Sequence, residues 1–255
     1  SPAPKPRSQP ATLNAHFRFE TFVIGSSNQM AHAAAFAAAQ KPGTVYNPLF
    51  IYGGVGLGKT HLMHAIGHAI HERATGAVVH YVSCERFTNQ YIEAIHANAL
   101  NKFRDFFRVN VDVLLIDDIQ FLSNKERTQE EFYHTFNDLR SQGKQIVMTS
   151  DKSPQELHNI EQRMVNRFEC GMVVDIQSPD FETRVAIIQK KLEQYGTVFD
   201  NDVCFYIANK VRTDVRKLEG ALIRLLGFAS VHNCSVSLDV AKDCLQLYTA
   251  SQAVT

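Results

Sequence analysis

The sequence predicts an α/β sandwich built on a parallel sheet, followed by a small helical domain, and three observations carry that prediction. Five short β-rich apolar runs, PLFIY (48–52), VVHYV (78–82), VDVLLI (111–116), QIVMT (145–149) and MVVDI (172–176), are each separated by 20 or more residues. Several are apolar on both faces, as buried parallel strands are, and the intervening helix-period sequence is long enough for crossover helices. After Asp175 the strand signal stops, and SPDFETRVAIIQKKLEQY, TDVRKLEGALIRLLGFAS and SLDVAKDCLQLYT follow, each with a Ser or Thr start. The expected division is a linker over 1–14, an α/β domain over 15–177 and a helical domain over 178–255.

Taken in chain order, SPAPKPRSQP carries Pro2, Pro4, Pro6 and Pro10 with almost no apolar residue, a composition that cannot offset chain entropy by burial. It reads as a linker. The chain opens on Ser rather than Met, so a fragment with a further domain upstream is expected. The first strand runs into GGVGLGKT and then the helical HLMHAIGHAI. The third ends in Asp117 and Asp118, and the fourth is followed by Asp151, which places three acids at the carboxyl edge of the sheet. Ser178 is the expected cap of the first helix of the second domain, with Pro179 at its first position.

Composition narrows the function classes. Lys+Arg 26 balances Asp+Glu 26, so the charge footprint of a dedicated duplex-DNA reader is missing and any nucleic-acid site must be local. Five cysteines without a C-x-x-C pair point to reduced thiols in a cytoplasmic setting. No apolar run approaches the roughly 20 residues of a membrane span, and no secretory leader is present.

Gly53, four residues, then Gly58-Lys59-Thr60 fits G-x-x-x-x-G-K-[ST] between a strand and a helix, the context a phosphate loop requires. Gly53, Gly54, Val55, Gly56, Leu57 and Gly58 would turn backbone N–H groups onto phosphates, assisted by the positive end of the helix dipole. Lys59 would reach the β- and γ-phosphates of ATP or ADP, Thr60 and Asp117 would hold Mg²⁺, and Asp118 would orient the attacking water. A dinucleotide loop is excluded, because Gly58 follows Gly56 one residue too early for G-x-G-x-x-G. Asp151 alone is a weak signal.

Two other patterns read as structural. His61, His64, His68 and His71 share a helix face without H-E-x-x-H, and Leu62, Ile66 and Ile70 oppose them. Phe103, Phe106 and Phe107 alternate with Arg104 and Arg108 at a period that amphipathic packing explains better than base stacking.

GGVGLGKTH, LLIDDIQFL, EEFYHTFN, RFECG and VRKLEGAL, with FVIGSSN upstream, resemble the AAA+ ATPase domain of the bacterial chromosome-replication initiators, the DnaA family, over about residues 15 to 250. The resemblance implies a P-loop NTPase with a five-stranded parallel sheet and a three-helix lid. It implies Val23, Ile24, Asn28 and Pro48 around the adenine, and His61 of GGVGLGKTH among the nucleotide-binding residues. It gives Asp151 the sensor 1 role and Arg216 the sensor 2 role. Arg163 and Arg167 fall at the subunit boundary, with Arg167 reaching the neighbour's γ-phosphate, a task that suits a planar and always charged guanidinium. The inserted CERFTNQYIEAIHANALNKFRDFFR and NKERTQ carry the single-strand DNA contacts, which map onto Ile92, Lys125, Arg127 and Thr128. Cys170 stands where the family usually has Trp. Nothing resembling the family's origin-reading helix-turn-helix follows Tyr248, so origin duplex would be bound only through a domain absent from this sequence.

The expected function is therefore a slowly hydrolysing ATP switch that assembles into a homo-oligomeric filament and holds single strands during origin unwinding. A replicative helicase and regulatory proteins are possible partners. A helicase loader and a shortened regulatory homologue are the competing readings, and a metabolic P-loop kinase is a third. Lys125 and Arg127 have their own structural reading, as solvated charges paired with Glu126 or Glu130 on a helix capped by Ser123.

Overall fold

The computed structural model describes residues 13–74, 76–212 and 214–252, so most of the predicted linker lies outside the described residues. Residues through Phe22, 29–54 and 58–176 pack as one compact unit, and 23–28, 55–57 and 177 onward as another.

The first unit contains helix α1 (Gln29–Gln40), strand β1 (Leu49–Gly53), α2 (Lys59–Arg73), β2 (Val79–Ser83), α3 (Cys84–His96) and α4 (Leu100–Arg104). A π-helical stretch, Asp105–Asn110, continues α4. Next come β3 (Val113–Asp117), α5 (Glu126–Ser141), β4 (Gln145–Ser150), α6 (Gln162–Glu169) and β5 (Met172–Ile176). All five expected strands form, in the order β2-β3-β4-β1-β5, and every pairing is parallel. Side chains alternate across a strand. Phe50, Leu114, Ile116, Ile146 and Met148 accordingly point to one face, where they meet Phe87, Phe103, Phe107, Phe132, Phe136 and Phe168 from α3 to α6. Leu49, Ile51, Leu115 and Val147 alternate with them and are equally buried, with α1 and α2 packed against the sheet. Burial on both faces is why the strands read as unbroken apolar runs.

The second unit holds α7 (Phe181–Gln194), α8 (Asn201–Lys210), α9 (Val215–His232) and α10 (Leu238–Gln252) around Ile188, Leu192, Ile207, Leu222 and Leu225. Among the described residues four helices follow β5, where the resemblance implied three. The additional one, α8, carries the β-favouring VCFYI yet buries Val203, Cys204, Ile207 and Ala208, one helical face. Asp180, not Ser178, caps α7, its carboxylate accepting the Thr183 N–H at 2.8 Å. Ser123 does not cap α5, because its hydroxyl donates to the His158 carbonyl at 2.9 Å. Among the described residues no helix is long and apolar enough to cross a membrane.

Candidate functional site

The carboxyl edge of the sheet collects the phosphate-loop lysine and the three acids. Gly53 ends β1 at φ +148°, and a Cβ there would lie 2.2 Å from the Ile176 carbonyl oxygen, so the chain can leave the strand only as glycine. Gly58, at φ +98°, turns the backbone into α2. Lys59 is buried, and its ammonium donates to the Gly53 carbonyl at 2.7 Å, the Gly54 carbonyl at 2.9 Å and Asp151 Oδ1 at 2.7 Å. Thr60 Oγ1 donates to Asp117 Oδ2 at 2.9 Å, and Tyr81 Oη donates to the same oxygen at 3.1 Å. The Thr149 hydroxyl donates to the other oxygen of Asp117 and accepts the Asp118 N–H at 3.1 Å.

Asp118 follows β3 in the left-handed region, φ 59° and ψ 54°, which Asp tolerates better than most residues. Burial raises its carboxyl above the usual range, and the neighbouring charge of Asp117 adds to the rise. A hydroxyl paired with a buried carboxylate, an ammonium and a second carboxylate of raised basicity form a donor set that fits a magnesium triphosphate.

The residues implied for the base behave differently from one another. Asn28 is buried with its amide committed to its own loop: Oδ1 accepts the Gly25 N–H at 2.9 Å and Nδ2 donates to the Val23 carbonyl at 3.0 Å. Ile24 in that loop is half exposed. Pro48 lies apart from the phosphate loop. It precedes β1, and its carbonyl accepts the N–H of Met172 at the start of β5. Five residues at about 3.3 Å each put it about 16 Å from Gly53, on the opposite edge of the sheet. His61 bonds through Nε2 to the Arg18 carbonyl at 2.8 Å and stacks on Phe17. With His64 Nδ1 accepting the Asn14 N–H and His68 bonding the Asn14 carbonyl, the histidine row of α2 anchors the segment that precedes α1. In the helical unit, which includes Gly56, a Cβ on that glycine would lie 1.9 Å from Asp214 Oδ1 and 3.3 Å from Arg216 Cγ.

Ile92, Lys125, Arg127 and Thr128 line a single cavity of about 440 Å³ between α3 and the start of α5, together with Tyr91, Ile95, His96, Asn124 and Glu126. Ile92 and Ile95 are both exposed on its α3 wall. Arg163 and Arg167 on α6 converge on one aromatic ring, with guanidinium carbons 4.6 and 5.8 Å from the Tyr133 centroid. A hydrogen bond from Arg167 holds the Tyr133 hydroxyl below its usual pKa. Cys170 closes α6 nearby, its thiol donating to the Arg167 carbonyl at 2.9 Å and accepting from Arg140.

The family model of the bacterial DnaA ATPase domain matches residues 13–175. The chain belongs to the DnaA ATPase-domain family. The curated DnaA of Caldanaerobacter subterraneus subsp. tengcongensis, a chromosomal replication initiator protein, is 52% identical over 236 residues, covering 92% of this chain and 53% of the relative. The chain thus spans about half the length of the curated relatives it matches. The crystal structure of domain III from the Thermotoga maritima replication initiation protein DnaA superposes with a TM-score of 0.90 at 42% identity, over 92% of this chain and 98% of that one. A replication initiator DnaA bound to AMPPCP and single-stranded DNA superposes with a TM-score of 0.78 at 40% identity, over 87% of this chain and 69% of that one. These DnaA relatives establish the P-loop AAA+ fold.

Sequence reasoning about this DnaA-family chain missed Tyr81, Gln120, Tyr133 and Thr149. Each comes from a separate element, with no spacing pattern to mark it. Thr149 carried a usable signal, since a hydroxyl in an otherwise apolar buried strand needs a partner.

Proposed function

We propose that this chain is the nucleotide switch of a replication initiator: it binds ATP with Mg²⁺, hydrolyses it slowly, assembles with further copies of itself and holds single-stranded DNA during origin unwinding in the cytoplasm. The carrying observation is the convergence of Lys59, Thr60, Asp117, Asp118 and Asp151 at the edge where a DnaA-family phosphate loop ends. Lys59 exchanges its loop carbonyls and Asp151 for the β- and γ-phosphate oxygens. Thr60 and Asp117, already bonded to each other, would hold the Mg²⁺, which supplies charge neutralisation on the phosphates. Asp118 orients a water molecule and takes its proton as the new oxygen–phosphorus bond forms and the bond to the bridging oxygen breaks, leaving ADP and phosphate.

Arg216 serves as sensor 2, a reading supported by its place beside Gly56. Asn28 acts on the base side by shaping the loop that presents Val23 and Ile24. Arg167 acts on the ATP of a neighbouring copy, with Arg163 beside it, and hydrolysis is slow in the monomer because that charge arrives from another chain. Single-strand binding is supported by the shared cavity of Ile92, Lys125, Arg127 and Thr128, and by the DnaA relative bound to single-stranded DNA. Replicative helicase and regulatory proteins remain partners of the whole initiator.

Calorimetry with Mg-ATP tests the reading. Lys59→Ala abolishes binding, whereas Asp118→Asn spares binding and lowers turnover. Unchanged ATP affinity in Lys59→Ala overturns the assignment.

A further inference from the structure

Hydrogen bonds at the carboxyl edge run from Lys59 to Thr60 through the three acids. Lys59 donates to Asp151, the Asp118 N–H reaches Thr149, Thr149 donates to Asp117, and Asp117 accepts from Thr60. Thr149 and Gln120 belong to none of the phosphate-loop, acid or sensor positions, and only Gln120 touches two of the acids by its side chain at both of its ends. Gln120, in the 3-10 turn Ile119–Leu122, uses Nε2 twice, donating to Asp118 Oδ1 at 3.1 Å and to Asp151 Oδ2 at 3.3 Å, while Oε1 accepts the Asp151 N–H at 3.4 Å. Its amide is committed at both ends to the two acids.

We infer that Gln120 is a positioning residue for hydrolysis, bridging Asp118 and Asp151 so that the Asp118 carboxylate is aimed at the attacking water only while Asp151 is in place. This rests on the proposed role of Asp118. Two carboxylates beyond neighbouring strand ends repel, and an uncharged side chain carrying two N–H donors is what satisfies both. Glutamate of the same length has no donor, and methionine of similar shape has neither donor nor acceptor in this position. Asp118 also needs an external restraint. Its left-handed backbone is fixed by Thr149, but its carboxylate turns about its own bond unless one oxygen is held, and Gln120 holds Oδ1. Because Asp151 Oδ1 takes the Lys59 ammonium while Oδ2 takes Gln120, the acid that faces the phosphate-loop lysine also sets the amide that orients Asp118.

The test is single-turnover hydrolysis of bound ATP by the full chain, with nucleotide affinity measured in parallel by calorimetry. Gln120→Met lowers the hydrolysis rate about tenfold, as loss of an outer positioning contact does, while ATP affinity stays within about twofold. Gln120→Glu, which keeps the volume and removes both donors, gives the same loss and guards against a folding defect of the first variant. Combined with Asp151→Asn, Gln120→Met costs no more than the larger single effect, because both act through one bridge. An unchanged rate in both Gln120 variants, a parallel fall in ATP affinity, or losses that multiply in the double variant each overturns the role of Gln120 alone, provided Asp118→Asn is slow. If Asp118→Asn turns over like the parent, the assignment of Asp118 fails and the bridge fails with it.

Discussion

Replacing Glu131 by Gln removes the charge at the centre of a buried cluster without changing its volume. The Glu131 side chain is 2% exposed and accepts Arg104 Nε at 3.2 Å, Arg104 Nη2 at 2.8 Å and Arg108 Nη2 at 2.5 Å. Burial by itself would raise its carboxyl pKa, but the two guanidiniums outweigh burial and hold it below the usual range. Removing one partner of a buried pair costs about 3–5 kcal/mol. Here the cost is smaller. Arg104 is 41% exposed and can return to water, Arg108 retains Asp138 at 3.0 Å, and Gln keeps one acceptor oxygen. We expect a loss of about 2 kcal/mol, or about 6 °C in the melting temperature of the α/β unit, read by circular dichroism. The pH dependence gives the sign. A carboxyl whose folded pKa lies below its unfolded pKa stabilises above the unfolded value and loses that contribution as pH falls through the folded one. The gap between parent and Glu131→Gln is therefore full at pH 7 and closes on acidification below the ordinary carboxylate range. A gap under about 0.5 kcal/mol at pH 7, or one that widens in acid, refutes the ion-cluster reasoning.

Other expectations concern the site and the core. Arg167→Ala leaves monomer ATP affinity near the parent value and removes ATP-dependent assembly, measured by light scattering with ATP against ADP; loss of ATP binding by the monomer would place Arg167 in its own site. Arg127→Ala keeps assembly and loses single-strand binding in fluorescence anisotropy at fixed salt, and the affinity that remains depends less steeply on salt. Burial holds His64 and His80 neutral, each pushed down to about 4 from 6.5. Unfolding therefore takes up protons between those values, and stability falls as pH drops through that window by about 1.4 kcal/mol per pH unit for each histidine. His80→Phe, in a pocket already lined by Phe106 and Phe107, should roughly halve the histidine part of that slope in denaturant titrations.

The strands were legible because each is buried on both faces and therefore carries an apolar run that no surface requirement interrupts. Helix α8 was not, since its cluster of valine, phenylalanine, tyrosine and isoleucine favours a strand until neighbouring helices supply a face to cover. The phosphate-loop residues were legible because the chemistry demands contiguous spacing around Lys59 and Thr60. Gln120 and Thr149 come from different elements, and only the fold brings Thr149 to Asp118 and Gln120 to Asp151. Pro48, which only the resemblance assigned to the base, precedes an extended β1 and so lies at the other end of that strand from Gly53. Arg104 and Arg108 read as the polar partners of an amphipathic pattern, and their common partner Glu131, more than 20 residues away, left no mark in it.

Lys59 spends all three of its ammonium hydrogens on the Gly53 and Gly54 carbonyls and Asp151. A buried cation so satisfied leaves no uncompensated charge beside the loop. Under the proposed function, nucleotide exchange is a swap of partners around this cation. Measured affinity is the difference between two well-bonded arrangements, which lets a site with strong individual contacts still release its product. For the nucleotide switch proposed here, release matters as much as capture.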